Sequence, residues 1–120
     1  MSRKIIAVVD DMFFASKIRA VAEAVGVEIS FPRTLEVFEQ KIREGKPDLV
    51  LVDLHNQRIE AANVAEALKK DETTAHIPLL GFFSHVQTEL QQEALAAGFT
   101  KVVPRSFFAR ELPNILKGEG

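Results

Sequence analysis

Three short apolar runs, Ile5-Ile6-Ala7-Val8-Val9, Leu49-Val50-Leu51-Val52 and Ile77-Pro78-Leu79-Leu80-Gly81-Phe82-Phe83, constrain this chain more than any other feature. Near-continuous hydrophobicity over so few residues is the pattern of strands covered on both faces, because a strand with one wet face alternates. Between the runs the period changes to that of helices. Ile18, Val21, Ala22 and Val25 follow the i, i+3, i+4, i+7 rule, with Gly26 behind them as a C-terminal stop. Thr34 predicts the N-cap of a second helix that carries Leu35, Phe38 and Ile42 and closes at Gly45. A third helix carries Ala61, Val64, Ala65 and Leu68, and a fourth, from about Gln87, carries Leu90, Ala94 and Ala97 before Gly98. The last presents Phe108, Leu112 and Ile115, and short strands over Val27 to Phe31 and Lys101 to Val103 complete the alternation.

Five strands alternating with five helices predict an α/β domain, an open parallel sheet with helices on both faces, because each parallel crossover is right-handed. Residues 1–120 read as one domain, with neither a repeat nor a low-complexity linker. In such sheets ligands meet the carboxyl ends of the strands where the strand order reverses; for the order 2-1-3-4-5 that crevice lies between strands one and three. Strand one ends at Asp10-Asp11 and strand three at Asp53, so three carboxylates converge there. Close like charges raise at least one pKa unless a cation neutralises them. Mg²⁺ suits the place, since it takes one or two protein carboxylates and fills its shell with water and phosphate oxygens. Arg105, after the fifth strand, supplies a guanidinium that matches phosphate oxygens. Each residue also has an ordinary reading: Asp11 as a helix cap, Asp53 as a turn residue, Arg105 as solvated surface.

Composition removes other function classes. The 120 residues carry 15 Lys+Arg against 17 Asp+Glu, a net charge of -2, which leaves no basic face to track a nucleic-acid backbone. With no Cys there is no disulfide, thiolate metal site or thiol nucleophile, in keeping with a cytoplasmic setting. The N-terminal apolar run stops at Asp10 after five residues, short of the ~7 to 15 of a signal peptide. No stretch is long enough to span a membrane. A flavin or dinucleotide would need a glycine-rich turn after strand one, where Asp10-Asp11-Met12-Phe13-Phe14 offers bulk and negative charge. Asp10-Asp11 also lacks the Asp-x-Asp spacing of an aspartyl phosphatase, and His55, His76 and His85 are too dispersed for zinc.

The sequence resembles the receiver domains of bacterial two-component response regulators along nearly its whole length. The resemblance is carried by Val8-Val9-Asp10-Asp11, by Pro47-Asp48-Leu49-Val50-Leu51-Val52-Asp53-Leu54, by His76-Ile77-Pro78-Leu79-Leu80, by Ala96-Ala97-Gly98-Phe99 and by Phe107 with Glu111-Leu112. It implies a three-layer flavodoxin-like (βα)5 fold, a non-enzymatic signalling role in a phosphorelay, and Asp53 as phosphoacceptor from a histidine kinase or phosphotransfer protein. It also implies Mg²⁺ held by Asp10, Asp11, Asp53 and the backbone carbonyl of His55, and a downstream protein target.

The chain departs from the family pattern at named positions. Arg105-Ser106-Phe107 stands where the family has Lys-Pro-Phe, so charge is kept while a compact ammonium becomes a planar guanidinium. Phe83 stands at the position of a hydroxyl residue. Ser84 substitutes for it only if the strand has ended or bulges, since neighbours on a strand face opposite ways. Val102 stands where the family's mobile aromatic would be. His55-Asn56-Gln57-Arg58-Ile59-Glu60 replaces the Met-Pro and Asp-Gly that usually follow the acceptor. The acids and one cation are kept while the relay is altered, so the alternative is a degenerate receiver that binds partners without phosphorylation. Asp53-Leu54-His55 also echoes a cobalamin-binding Asp-x-His, but after the wrong strand and with Arg58 where that motif has Gly. Of the pairs Phe13/Phe14 and Phe107/Phe108, one member each is left for a docking or homodimer surface, because adjacent helical residues cannot both face the core. Lys117-Gly118-Glu119-Gly120 reads as a frayed end.

Overall fold

A computed structural model describes residues 3–84 and 88–118. In chain order the elements are β1 (Lys4–Val8), α1 (Met12–Val25), β2 (Glu28–Ser30), α2 (Leu35–Glu44), β3 (Leu49–Asp53), α3 (Ala61–Lys69), β4 (Leu79–Phe83), α4 (Thr88–Ala97), β5 (Lys101–Pro104), α5 (Arg105–Arg110) and α6 (Leu112–Lys117). The strands form one parallel sheet of order β2-β1-β3-β4-β5, the order expected from the sequence.

The period of two on each strand sends alternate residues into two separate cores. Ile6, Val8, Val50, Val52, Leu79 and Phe83 pack with Phe38 of α2, Val64 and Leu68 of α3 and Ala94 of α4. Ile5, Ala7, Leu49, Leu51, Leu80 and Phe82 pack on the other face with Phe14 and Ile18 of α1, Phe108 of α5 and Leu112 of α6. Phe82 and Phe83 are therefore both buried, one in each layer. At Gly81 the helix-side packing is so close that a Cβ would meet Leu54 Cδ2 at 2.9 Å and two Phe99 ring carbons at 3.0 Å.

Local chemistry fixes the helix ends. Thr34 Oγ1 accepts from the Val37 N–H at 3.1 Å, and α1 closes at Gly26 in the left-handed region, φ 77°. The single last helix expected from the sequence is two short ones, α5 and α6, broken at Glu111. Pro113 is the cause: it brings no N–H to the helical ladder, and its ring would clash with the carbonyl four residues back, at Ala109, if the helix ran on unbroken. Lys117 is not frayed, since it ends α6 against the left-handed cap Gly118, and Arg3 Nε donates to the Leu116 carbonyl at 2.9 Å. Gln87, the expected start of the fourth helix, lies outside the described residues, as do His85 and positions 119 and 120. No helix among the described residues is long and apolar enough to cross a membrane.

Candidate functional site

β1 and β3 pair in parallel from Ile5 with Leu49 to Val8 with Val52, so their carboxyl ends emerge side by side. From there the chain leaves β1 toward β2 and leaves β3 toward β4, which opens the crevice expected at the reversal of strand order. Asp53 is the last residue of β3 and only 7% exposed. Its Oδ1 accepts the His55 N–H at 2.9 Å. Burial pushes the Asp53 carboxyl above the ordinary carboxylate range; the His55 N–H and the His55 ring pull it back, the Asp10 charge adds to the rise, and Arg105 opposes it. A buried carboxylate with charged neighbours at a cleft makes Asp53 a candidate functional group.

Asp10 and Asp11, adjacent in sequence, have separate partners. Asp10 is exposed, and its Oδ2 accepts the Gln57 N–H at 3.3 Å across the crevice. Asp11 is the N-cap of α1: its Oδ1 accepts from the Phe13 and Phe14 N–H groups at 3.0 and 3.2 Å. Its Oδ2 accepts from Arg105 at 3.2 Å. These contacts, the Phe14 N–H foremost, hold its carboxyl below the ordinary value against a smaller desolvation effect. Asp11 is thus a helix cap whose second oxygen is taken by Arg105.

Arg105 pairs with Asp11 rather than hydrogen-bonding Asp53. The guanidinium lies 4.0 Å from the centre of the Phe14 ring, and a planar cation on an aromatic face is held by the ring quadrupole as well as by the ion pair. Phe14 in turn packs edge-on against Phe82 at 5.4 Å, and Phe82 stacks on Phe108 at 4.4 Å. An aromatic floor therefore sets where this cation stands.

The other altered positions are equally well defined. Phe83 is buried in the layer beneath α3 and α4. Ser84 is exposed and lies beyond the end of β4, the condition under which the sequence allowed it to stand in for a hydroxyl residue. Val102 is half-buried opposite Gly81. Phe13 is 91% exposed while Phe14 is buried, and Phe107 is half-buried while Phe108 is buried, as helical geometry requires.

The oxygen donors suit a hard divalent cation in one particular way. Among the described residues no three acidic or imidazole side chains gather into a group that holds a metal by itself. Mg²⁺ asks for less than that, one or two carboxylates with the rest of its octahedron left to water and phosphate. The exposed Asp10 carboxylate and the adjoining Asp53 meet this smaller demand, whereas Asp11 is engaged twice over. One feature escaped sequence reasoning: the Asx turn after β3, in which Asn56 Oδ1 accepts from the Arg58 and Ile59 N–H groups at 2.8 and 3.0 Å. An Asn two residues before a backbone turn was the available signal.

No protein-family profile matches the chain. A curated relative, the phosphate regulon transcriptional regulatory protein PhoB of Pseudomonas aeruginosa, is 30% identical over 118 residues, 98% of this chain and 52% of that protein. The chain thus spans about half the length of the curated relative it matches. Solved structures share the fold across almost the whole chain. The chemotaxis response regulator CheY4 of Vibrio cholerae superposes with a TM-score of 0.84 at 18% identity, covering 100% of both chains. The receiver domain of the Pseudomonas aeruginosa sensor histidine kinase PA1611, which has a magnesium ion coordinated in its active-site cleft, gives 0.83 at 16% identity over 98% of this chain and 97% of that one. The phosphorylated cyanobacterial phytochrome response regulator RcpA gives 0.80 at 20% identity, covering 98% and 91%.

Proposed function

We propose that this chain, a receiver-type domain in fold and in its sequence relationship, accepts a phosphoryl group on Asp53 within a phosphorelay. The observation that supports the reading best is the buried, base-strengthened Asp53 carboxylate at the mouth between β1 and β3. A carboxylate whose proton affinity is raised is a better nucleophile once ionised. The step forms one bond from Asp53 Oδ2 to phosphorus and breaks the bond from phosphorus to the imidazole nitrogen of a phosphohistidine, which leaves with a proton from water. The donor histidine belongs to a kinase or phosphotransfer partner, so the chain modifies itself and turns over no substrate of its own.

What the protein contributes is positioning and charge. The His55 N–H fixes the Asp53 carboxylate plane and leaves Oδ2 for attack. Asp10, Asp53 and the His55 carbonyl would hold Mg²⁺, with Asp11 joining if it releases Arg105. When bound, the ion neutralises the carboxylates and the phosphoryl oxygens that meet there. Arg105 balances charge from the Asp11 side, held on the Phe14 ring. A cytoplasmic setting and a downstream protein target belong to the same reading, as does residues 1–120 acting as one domain.

Incubation of the wild type with Mg²⁺ and a small acyl phosphate, followed by intact-mass measurement, is expected to show one added phosphoryl group, and Asp53→Asn none. An unmodified wild type that also binds no Mg²⁺ would favour the second reading, a receiver that docks partners without phosphorylation. Burial of Phe83 and the missing ring at Val102 are what support that second reading.

A further inference from the structure

Arg19, Arg33 and Arg58 are far apart in sequence, yet the fold brings them around one cavity of about 90 Å³ beside Asp10. They arrive from α1, from the loop between β2 and α2, and from the turn after β3. None of the three is in an ion pair, although the described residues include other paired cations. Arg19 is braced over the Phe31 ring, 4.8 Å from its centre, and Phe31 lines the same cavity. The Arg58 backbone is fixed by the Asn56 turn at 2.8 Å. Three cations against the single carboxylate of Asp10 give this cavity a local charge opposite in sign to that of the whole chain.

Size and chemistry select the ligand. The cavity, about 90 Å³, has room for a small tetrahedral oxyanion. Guanidinium forks match phosphate oxygens, and the Ser16 hydroxyl and Asn56 amide add polar partners at the wall. We propose that this cavity is a phosphate-binding site, separate from Asp53, that receives either a free phosphate or the phosphate group of a phosphorylated partner while the rest of that partner stays outside.

The test is run on Asp53→Asn without Mg²⁺, so that phosphoryl uptake at position 53 makes no contribution and failure of the phosphoacceptor reading leaves this one untouched. Inorganic phosphate is titrated at constant ionic strength while amide NMR shifts are followed. Saturable shifts of Ser16, Phe31, Arg33 and Arg58 are expected, with a Kd of about 1–5 mM. Adding Arg33→Ala or Arg58→Ala is expected to weaken binding about 5- to 10-fold, and Arg43→Ala, on α2 and outside the cavity, to leave it unchanged. A short phosphoserine peptide distinguishes the sources: tighter binding than inorganic phosphate assigns the site to a partner, equal binding to the free anion. Linear shifts without saturation, shifts centred elsewhere, or equal losses from Arg43→Ala and Arg58→Ala would overturn the proposal. Arg19→Lys separates charge from geometry, because the ammonium keeps the charge but not the fork.

Discussion

The two halves of the sheet's carboxyl edge are built differently. β1 and β3 end in carboxylates, Asp10, Asp11 and Asp53, all with polar partners; β4 ends in the buried ring of Phe83, and β5 carries Val102 and Pro104. On the first half, a change of charge has oxygen atoms and N–H groups to act on. On the second half it meets hydrocarbon, whose packing responds to volume rather than charge. The acidic pocket proposed to receive a phosphoryl group is therefore separable in this chain from the apolar β4–β5 side, and Arg105, paired with Asp11 and lying on Phe14, is the point where they touch.

Substitutions on the β4 side sharpen this contrast first. Phe83→Thr restores a hydroxyl at the strand end but removes most of a buried ring, and is expected to destabilise by about 3 kcal/mol, read by urea unfolding. A wild-type-like midpoint would mean that Phe83 is dispensable to the core and the two halves are less distinct than drawn. Gly81→Ala follows, expected to destabilise by about 1–3 kcal/mol because its methyl group enters space held by Leu54 and Phe99. An unchanged midpoint would show that Leu54 and Phe99 yield easily.

Arg105→Ala is the next smaller effect. Both members of the Asp11 pair are about a third exposed, so solvent screens the ion pair and most of the loss comes from the contact with Phe14. A loss of about 1 kcal/mol is expected in thermal unfolding, and Arg105→Lys recovers only part of it. Full recovery by Lys would place the effect in charge alone.

Much of this was legible in the amino-acid order. The apolar runs gave the strands because covered strands leave no alternation, and Thr34 and Gly26 gave helix ends through local hydrogen bonding and backbone freedom. Topology alone brought the carboxyl ends of β1 and β3 side by side, but not the three carboxylates into one group. Three things were not legible. The break at Glu111 depended on weighing Pro113 against a periodic apolar face that continues through it. The choice of Asp11 by Arg105 depended on the Phe14 ring beneath it, a contact between residues 91 positions apart. The meeting of Arg19, Arg33 and Arg58 is a property of three loops and helix faces that no periodicity links.

The smallest effects are also the most specific, because Asp11 and Asp53 have opposite pKa displacements. Asp53 is raised above 3.8, so the folded state holds its proton more tightly than the unfolded chain, and ionising it as pH rises through the folded pKa weakens folding. Asp53→Asn keeps an acceptor for the His55 N–H and removes that penalty. It is expected to stabilise by about 0.5–2 kcal/mol at pH 7, as relief of functional-site strain commonly does, with the gain vanishing on acidification below 3.8. Asp11 is lowered, so its contribution is present above 3.8 and lost as pH falls through the folded pKa. Asp11→Asn retains the cap and loses the charge, and is expected to destabilise by about 0.5 kcal/mol at pH 7 and by less in acid. Thermal melts of the two variants across pH 3 to 7 should therefore diverge in opposite directions from the wild type as pH rises. Parallel curves would mean that one electrostatic environment governs both carboxylates, and the division of the rim into a buried carboxyl and a capped, paired neighbour would fail.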